Sequence, residues 1–355
     1  MSRTILIMAG GTGGHIFPGI AVGRELRDRG IDVVWLGGKV GLEGRLVPAA
    51  GFTLETLDFS GVRGKGLATL ALAPLRLLRA ILVARTLLRR LRPASVLSMG
   101  GYAAAPGGIA AWLSRIPLVV HEQNRVPGFT NRMLARFARR RLSGFADSFA
   151  GSEWIGNPVR REISALPPPA QRLAGREGAV RVLVLGGSQG AQSLNLMVPE
   201  TIRRRGDRVH LEVRHQSGER HLEKTRAAYA AADLAVTVEA FVEDMAAAYA
   251  WADIVICRAG ALTIAELCAA GVASILVPFP QAVDDHQTHN AEVLVAAGAA
   301  RLVAEGDGFV KRLGACLDEL DRDRPKLLKM ATSARALARA DAAARIADVC
   351  VEVAA

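Results

Sequence analysis

Two stretches of the chain share one order: a short, unbroken aliphatic run, a cluster of glycines, then a helical segment. The first is TILIMAGGTGGHIFPG (4–19); the second is VRVLVLGGSQGAQSLNLMV (180–198). A strand that is apolar without alternation is buried on both faces, which marks a parallel sheet covered by helices. Two such starts within 355 residues predict two α/β units in tandem.

Further runs extend both units. DVVWLGG (32–38), SVLSMGG (95–101) and PLVVHEQ (117–123) read as strands of the first, with a helix from Pro18 to Arg29 closed by Gly30. HLEVRHQ (210–216), LAVTVEAF (234–241), ADIVICR (252–258) and ASILVPF (273–279) read as strands of the second. The stretch 158–178, rich in Pro, Gly and Arg, reads as a linker or loose connection. The expected division is residues 1–157 and 158–334, with a closing helix over 335–355 that crosses back onto the first domain. Open α/β sheets bind ligands at the carboxyl ends of their strands, so the expected site is a cleft between two such edges.

A dinucleotide fold is the plain reading of a glycine-rich first turn, and its spacing can be tested. From Gly11 and Gly13 the third glycine of G-x-G-x-x-G falls on Ile16, and the second strand ends in WLGG without an acidic residue for a ribose. In the second unit Gln189 stands where the second glycine is needed. Both loops remain suited to phosphate, because bare backbone lets N–H groups approach an anion at a helix N-terminus. A third loop, VICRAGALTIAELCAAG (255–271), offers a helix start at Ala261–Thr263 and a carboxylate, Glu266, able to accept two ribose hydroxyls. A first-turn Glu favoured by the helix dipole is the ordinary alternative.

Composition narrows the class. Lys and Arg number 45 against 34 Asp and Glu, a net charge of +11, which suits a polyanionic partner. Aromatic residues are 5% of the chain, with no stacking platform for bases, so nucleic acid fits poorly. The four cysteines, Cys257, Cys268, Cys316 and Cys350, show no metal-ligand spacing and read as buried thiols. No secretory leader and no membrane span are expected; the nearest apolar run, from Leu67, is broken by Pro74, Arg76 and Arg79. The segment 60–93 mixes Leu and Ile with eight Arg and Lys, including Arg63, Lys65, Arg85 and Arg90, as at an anionic bilayer surface. Its leucines fall around the whole helix, so much of it is also expected to pack on the sheet.

Taken together, GGTGGHIFPGIAV, GVRGKG, MGGYAAAPGGIAAW, HEQN, GNPVR, GGSQGAQSLN, DMAAAYAWADIVICRAGALTIAEL and HQTHNA resemble the bacterial MurG family, in the same order from residue 4 to about 300. The resemblance implies an α/β GT-B fold, two Rossmann-like doubly wound domains. It also implies an inverting transfer of N-acetylglucosamine from UDP-GlcNAc to the C4 hydroxyl of the lipid-linked acceptor, lipid I. That is a step of peptidoglycan synthesis, and so of cell wall biogenesis, shape and division. It assigns Ser188 and Gln189 to the donor diphosphate, Arg160 and Asn124 to donor groups, the backbone at Val242 to uracil, and Ala261, Leu262, Thr263, Ile264, Ala265 and Glu266 to the nucleotide, with Glu266 on the ribose. Gln287 faces the sugar hydroxyls, in a register loosened by the preceding PQAVDD, and Thr12, Gly13 and Gly14 touch the sugar end. Gly13, Gly14, Gly100, Gly101 and Tyr102 would cradle the acceptor diphosphate. The implied setting is the cytoplasmic face of the inner membrane, held peripherally, with other cell-wall synthesis proteins as further partners.

Inversion needs a base beside the acceptor hydroxyl. An imidazole, with an ordinary pKa near ~6.5, suits cytoplasmic pH. His15 at the end of the first glycine loop is the first candidate, with helix capping or substrate positioning as its alternative; Glu122 is the second. The one Asp-x-Asp triplet, Asp321-Arg322-Asp323, reads as a solvated helix end, so no bound metal is expected and helix N-termini would stabilise the departing diphosphate. Two other classes stay open: an isomerase of the UDP-GlcNAc 2-epimerase kind, and a binding protein without turnover.

Overall fold

The computed structural model describes residues 3–38, 41–59, 72–187, 190–206, 211–232, 234 and 236–355, with Val283 as backbone only. The chain divides into two compact units, Met1–Val159 with Arg339–Ala355, and Arg160–Ala338.

The first unit runs β1 (Thr4–Ala9), α1 (Gly13–Asp28), β2 (Asp32–Gly38), α2 (Glu43–Ala49), β3 (Thr53–Leu57), α3 (Ala73–Leu91), β4 (Ser95–Gly100), α4 (Ala104–Leu113), β5 (Leu118–Glu122), α5 (Phe129–Leu134), β6 (Arg140–Ser143) and β7 (Glu153–Trp154). Its seven strands are all parallel, in the order β3-β2-β1-β4-β5-β6-β7. The unbroken apolar run of β1 serves both faces. Ile5, Ile7 and Ala9 pack into one buried cluster, Leu6 and Met8 into another.

The second unit runs α6 (Arg161–Ser164), α7 (Pro169–Arg172), β8 (Val180–Leu185), α8 (Gln192–Arg205), β9 (Leu211–Gln216), α9 (Leu222–Ala231), β10 (Thr237–Glu239), α10 (Met245–Trp251), β11 (Ile254–Cys257), α11 (Ala261–Ala270), β12 (Ala273–Leu276), α12 (His286–Ala296), β13 (Ala300–Leu302), α13 (Phe309–Leu320) and α14 (Arg324–Ala336). Its parallel order is β10-β9-β8-β11-β12-β13. Val180, Val182 and Val184 of β8 join Ile254, Ile256 and Ile275 in one core.

Several elements differ from the sequence expectation. Helix α1 starts at Gly13, five residues before Pro18, which lies inside it. The ring of Pro18 removes only one N–H, a loss a second turn tolerates when the helix is buried against the sheet. Residues 158–178 are not a loose linker. Arg172 donates to the carbonyls of Ala252 and Gly271 at 2.9 and 2.6 Å, and Arg176 pairs with buried Asp253 at 2.6 Å. Burial lowers the Arg172 pKa to about 10. The helical tail breaks at residues 337–341, and the last helix, α15 (Ala342–Glu352), packs Ile346, Val349 and Cys350 into the core of the first unit. Strands β3, β6, β7 and β13 are not among those expected from the sequence; all four are short and carry charges, and β3, β7 and β13 are edge strands.

Candidate active site

In each sheet the strand order reverses once, between β1 and β4 in the first unit and between β8 and β11 in the second. Loops leaving neighbouring strands diverge at such a point and open a ligand crevice at the carboxyl edge. The loops 10–12 and 101–103 leave β1 and β4, with further glycines at the start of α1 and the end of β4; the loops that begin at Gly186 and Arg258 leave β8 and β11.

In the first unit the two loops meet backbone to backbone. Gly101 has φ +94°, and a Cβ there would lie 2.4 Å from the Gly10 carbonyl oxygen. A second reason for bare backbone is Glu43, which is buried. Its carboxylate accepts from the Gly11 N–H at 3.1 Å and the Gly38 N–H at 2.9 Å, tying the loops after β1 and β2 together. A Cβ at Gly10 would stand 2.6 Å from its Oε1. Part of the glycine cluster therefore encloses a carboxylate of the chain itself. Thr12 and Gly14 remain exposed at the loop, Tyr102 is 55% exposed at the tip of the second, and His15 is the third residue of α1, half-buried.

The HEQN stretch ends β5. Glu122 is buried and its carboxylate takes four donors. Oε1 accepts from the Asn124 N–H (3.0 Å) and side-chain amide (3.3 Å), and Oε2 from the Gly128 N–H (3.1 Å) and Asn131 Nδ2 (3.0 Å). This organises the loop 123–128. Gln123 Oε1 lies 3.0 Å from His15 Nδ1, which brings HEQN to the first glycine loop. His121 is buried, and its pKa is lowered to about 4 because burial penalises the imidazolium.

In the second unit, Gln216 pins the loop after β8. It accepts from the Gly187 N–H at 3.0 Å and donates to the Gly187 carbonyl at 3.1 Å. Ser188 and Gln189 lie outside the described residues. Gly190, at φ +76°, approaches Ser217 so closely that a Cβ would be 2.4 Å from its carbonyl oxygen. Helix α11 begins at Ala261 after an extended Gly260, and no acidic side chain occupies its first turn. Its first N–H groups therefore have no carboxylate of their own helix. Glu266 follows in the second turn. It is paired with Arg160 (2.9 Å) and accepts from the Tyr249 hydroxyl (3.0 Å). Burial and the Glu266 charge hold the Tyr249 phenol well above its ordinary pKa, so it stays a donor. Val242 is buried beside exposed Phe241, and Gln287 Oε1 accepts from the Phe279 N–H at 3.0 Å.

Sequence reasoning missed Glu43, Tyr249 and Arg258. Arg258 pairs with Glu305 at 2.6 Å, donates to Ser193 Oγ at 2.9 Å and lies over the Phe279 ring. Only Arg258 left a signal, as a charge at the carboxyl end of a buried strand. The Asp-x-Asp triplet is not a solvated helix end. Asp321 is buried and paired with Arg205 at 2.5 Å, and Asp323 caps α14 by accepting from the Lys326 N–H at 2.9 Å. Among the described residues no group of three or more His, Cys, Asp or Glu could hold a metal ion. The GVRGKG motif lies outside the described residues.

Comparison with known proteins gives this geometry a family. Residues 5–143 match the glycosyltransferase family 28 N-terminal domain, and residues 181–346 match its C-terminal domain. The chain is 56% identical, over 99% of its length and 81% of the relative, to the UDP-N-acetylglucosamine–N-acetylmuramyl-(pentapeptide) pyrophosphoryl-undecaprenol N-acetylglucosamine transferase of Xanthomonas euvesicatoria pv. vesicatoria. The crystal structure of Acinetobacter baumannii MurG superposes with a TM-score of 0.88 at 38% identity, covering 99% of both chains. A UDP-GlcNAc 2-epimerase from Neisseria meningitidis, covering 99% of this chain and all of its own at a TM-score of 0.67 and 12% identity, shares the fold alone. With two Rossmann-like units of GT-B type and this identity over nearly its whole length, the chain belongs to glycosyltransferase family 28, among the MurG enzymes.

Proposed function

We propose that the chain transfers N-acetylglucosamine from UDP-GlcNAc to the C4 hydroxyl of the N-acetylmuramyl group of lipid I, giving lipid II, with inversion at the anomeric carbon. The observation that carries this is the 56% identity over 99% of the chain to transferases named for that reaction. Inversion is a single in-line displacement: the hydroxyl oxygen bonds to the anomeric carbon, and UDP leaves with the electron pair of the broken bond. His15 takes the hydroxyl proton. Its half-buried position in the first turn of α1, next to the glycine loop, supports this, and the four donors on Glu122 favour His15 over that residue.

The donor site uses Arg160, Val242, Ala261–Glu266 and Gln287 of the second unit, with Ser188 and Gln189 on the diphosphate. The ribose displaces Arg160 from Glu266 and takes up both carboxylate oxygens. Thr12, Gly13, Gly14 and Asn124 serve the donor sugar, and Gly13, Gly14, Gly100, Gly101 and Tyr102 the acceptor diphosphate. The N-termini of α8 and α11 stabilise the departing UDP, so the reaction needs no tightly bound divalent metal. Activity fully lost in chelator and restored by Mg²⁺ would count against that.

Membrane attachment is peripheral, on the cytoplasmic face of the inner membrane. No helix among the described residues is long and apolar enough to cross a bilayer. Helix α3 turns Ala80, Ala84, Leu87 and Leu88 inward and leaves Leu75, Leu78 and Leu82 exposed beside Arg76 and Arg79, which suits an anionic lipid surface.

One assay tests the function. The chain is incubated with radiolabelled UDP-GlcNAc, with and without a short-chain lipid I analogue. Labelled disaccharide lipid is expected only with acceptor. UDP-ManNAc formed without acceptor would point to an isomerase, and donor binding without UDP release to a binding protein.

A further inference from the structure

His15, Gln123 and His121 form a chain of hydrogen bonds that ends on the backbone. His121 Nε2 lies 2.9 Å from the Gly156 carbonyl oxygen, His121 Nδ1 lies 3.1 Å from Gln123 Nε2, and Gln123 Oε1 lies 3.0 Å from His15 Nδ1. His121 and Gln123 are 0% and 1% exposed, so the chain is open only at His15. We infer that Gln123 and His121 are positioning residues that hold His15 in the tautomer with its lone pair on Nε2, the form able to accept the acceptor's proton.

The direction of every bond follows from two carbonyl oxygens, which can only accept. Gly156 O requires an N–H at His121 Nε2. The buried His121 is neutral, so its Nδ1 carries a lone pair and accepts. Gln123 Nε2 donates to that nitrogen and also to the His121 carbonyl at 3.1 Å. A flipped amide would set its oxygen against both acceptors, so the side chain has one orientation. Gln123 Oε1 therefore faces His15, and His15 Nδ1 must donate. The surrounding groups hold this frame. The Gln123 carbonyl accepts from Asn157 Nδ2 at 2.9 Å, and a Cβ at Gly100 would touch the His15 ring at 3.0 Å.

An amide in this place differs from a carboxylate. It orients the ring but adds no charge to retain an imidazolium. When the acceptor oxygen bonds to the anomeric carbon and UDP leaves with its electron pair, the hydroxyl proton passes to His15 Nε2. Gln123 cannot take the proton on Nδ1, so the added proton departs again from Nε2. This inference rests on His15 as base, and the test separates the two.

The full chain is prepared with ¹⁵N-labelled histidine, and the His15 ring signals are identified by their loss in His15→Asn. At pH 8 the wild type is expected to show a protonated Nδ1 and an unprotonated Nε2. Gln123→Leu is expected to move His15 toward the Nε2–H form and to lower kcat about tenfold, with KM for UDP-GlcNAc unchanged. An Nε2–H or evenly averaged His15 in the wild type overturns the relay, and that spectrum decides even where Gln123→Leu fails to fold. A shifted tautomer with unaltered kcat overturns it as well. Wild-type turnover in His15→Asn would instead remove the base assignment, whatever the tautomer.

Discussion

Two residues take their meaning from the partners they meet. Glu266, a ribose-holding carboxylate by resemblance, is already paired with Arg160 and Tyr249. Glu266→Ala is expected to raise KM for UDP-GlcNAc about 100-fold, with kcat changed far less, because two charge-assisted hydrogen bonds are lost. Steady-state kinetics with donor varied checks this; an unchanged KM sinks the assignment. His215 is the other. It is buried, Nε2 donating to Asn195 Oδ1 and Nδ1 accepting from the Tyr229 hydroxyl, each at 2.9 Å, and burial lowers its pKa to about 3. With His121 lowered to about 4, each unit holds one histidine that stays neutral when folded and binds a proton when unfolded below ~6.5. The unfolded state then holds more protons, so stability falls as pH drops. The expected loss is about 2 kcal/mol per histidine between pH 7 and pH 5. Urea unfolding at both values measures it, and His215→Gln should flatten the slope.

At the scale of elements, glycines mark close approaches. Gly101→Ala is expected to part the loops after β1 and β4, since its Cβ would meet the Gly10 carbonyl at 2.4 Å on a backbone of φ +94°. The cost is about 1–3 kcal/mol, with acceptor KM affected more than donor KM. Thermal melting with kinetics on each substrate checks this; equal effects on both would argue against a loop serving the acceptor. Helix α3 carries a different prediction. Leu78→Glu with Leu82→Glu, both side chains exposed, should leave the melting temperature within a degree or two and weaken binding to anionic vesicles. Sedimentation with such vesicles reads it; unchanged binding would place the membrane contact elsewhere.

At the scale of the molecule, the last helix completes a core built mostly from the other end of the chain. Ile346, Ala347, Val349 and Cys350 lie in one cluster with Ile5, Ile7, Trp35 and Leu97, and Ser95 Oγ donates to the Cys350 carbonyl at 2.8 Å. Arg29 pairs with Asp348 at 2.6 Å and Arg345 with Glu153 at 2.9 Å across the same seam. Each large side chain uncovered costs about 1.5–3 kcal/mol, so removing 339–355 should consume most of a typical stability of about 5–15 kcal/mol. The expected result is loss of the cooperative transition of the first unit. A truncated chain melting like the full one would show that the seam contributes little.

The parallel sheets were legible in the chain, because unbroken Val, Ile and Leu runs can be buried only between two layers of helices, a short-range property of composition. The failure of the dinucleotide spacing at Ile16 and Gln189 was equally local, and so was the presence of bare backbone at the strand ends. The partners of the buried polar groups were not. Glu43 lies 32 residues from Gly11, Gln123 lies 108 from His15, and Glu266 lies 106 from Arg160. No periodicity spans those distances; for the first two pairs strand order does, by bringing the ends of β1, β2, β4 and β5 to one edge of a sheet. The sequence alone thus determined two doubly wound units with glycine loops at their strand ends. Only the tertiary structure decided which polar atoms meet there, because a buried donor takes its acceptor from whatever the packed sheet sets beside it.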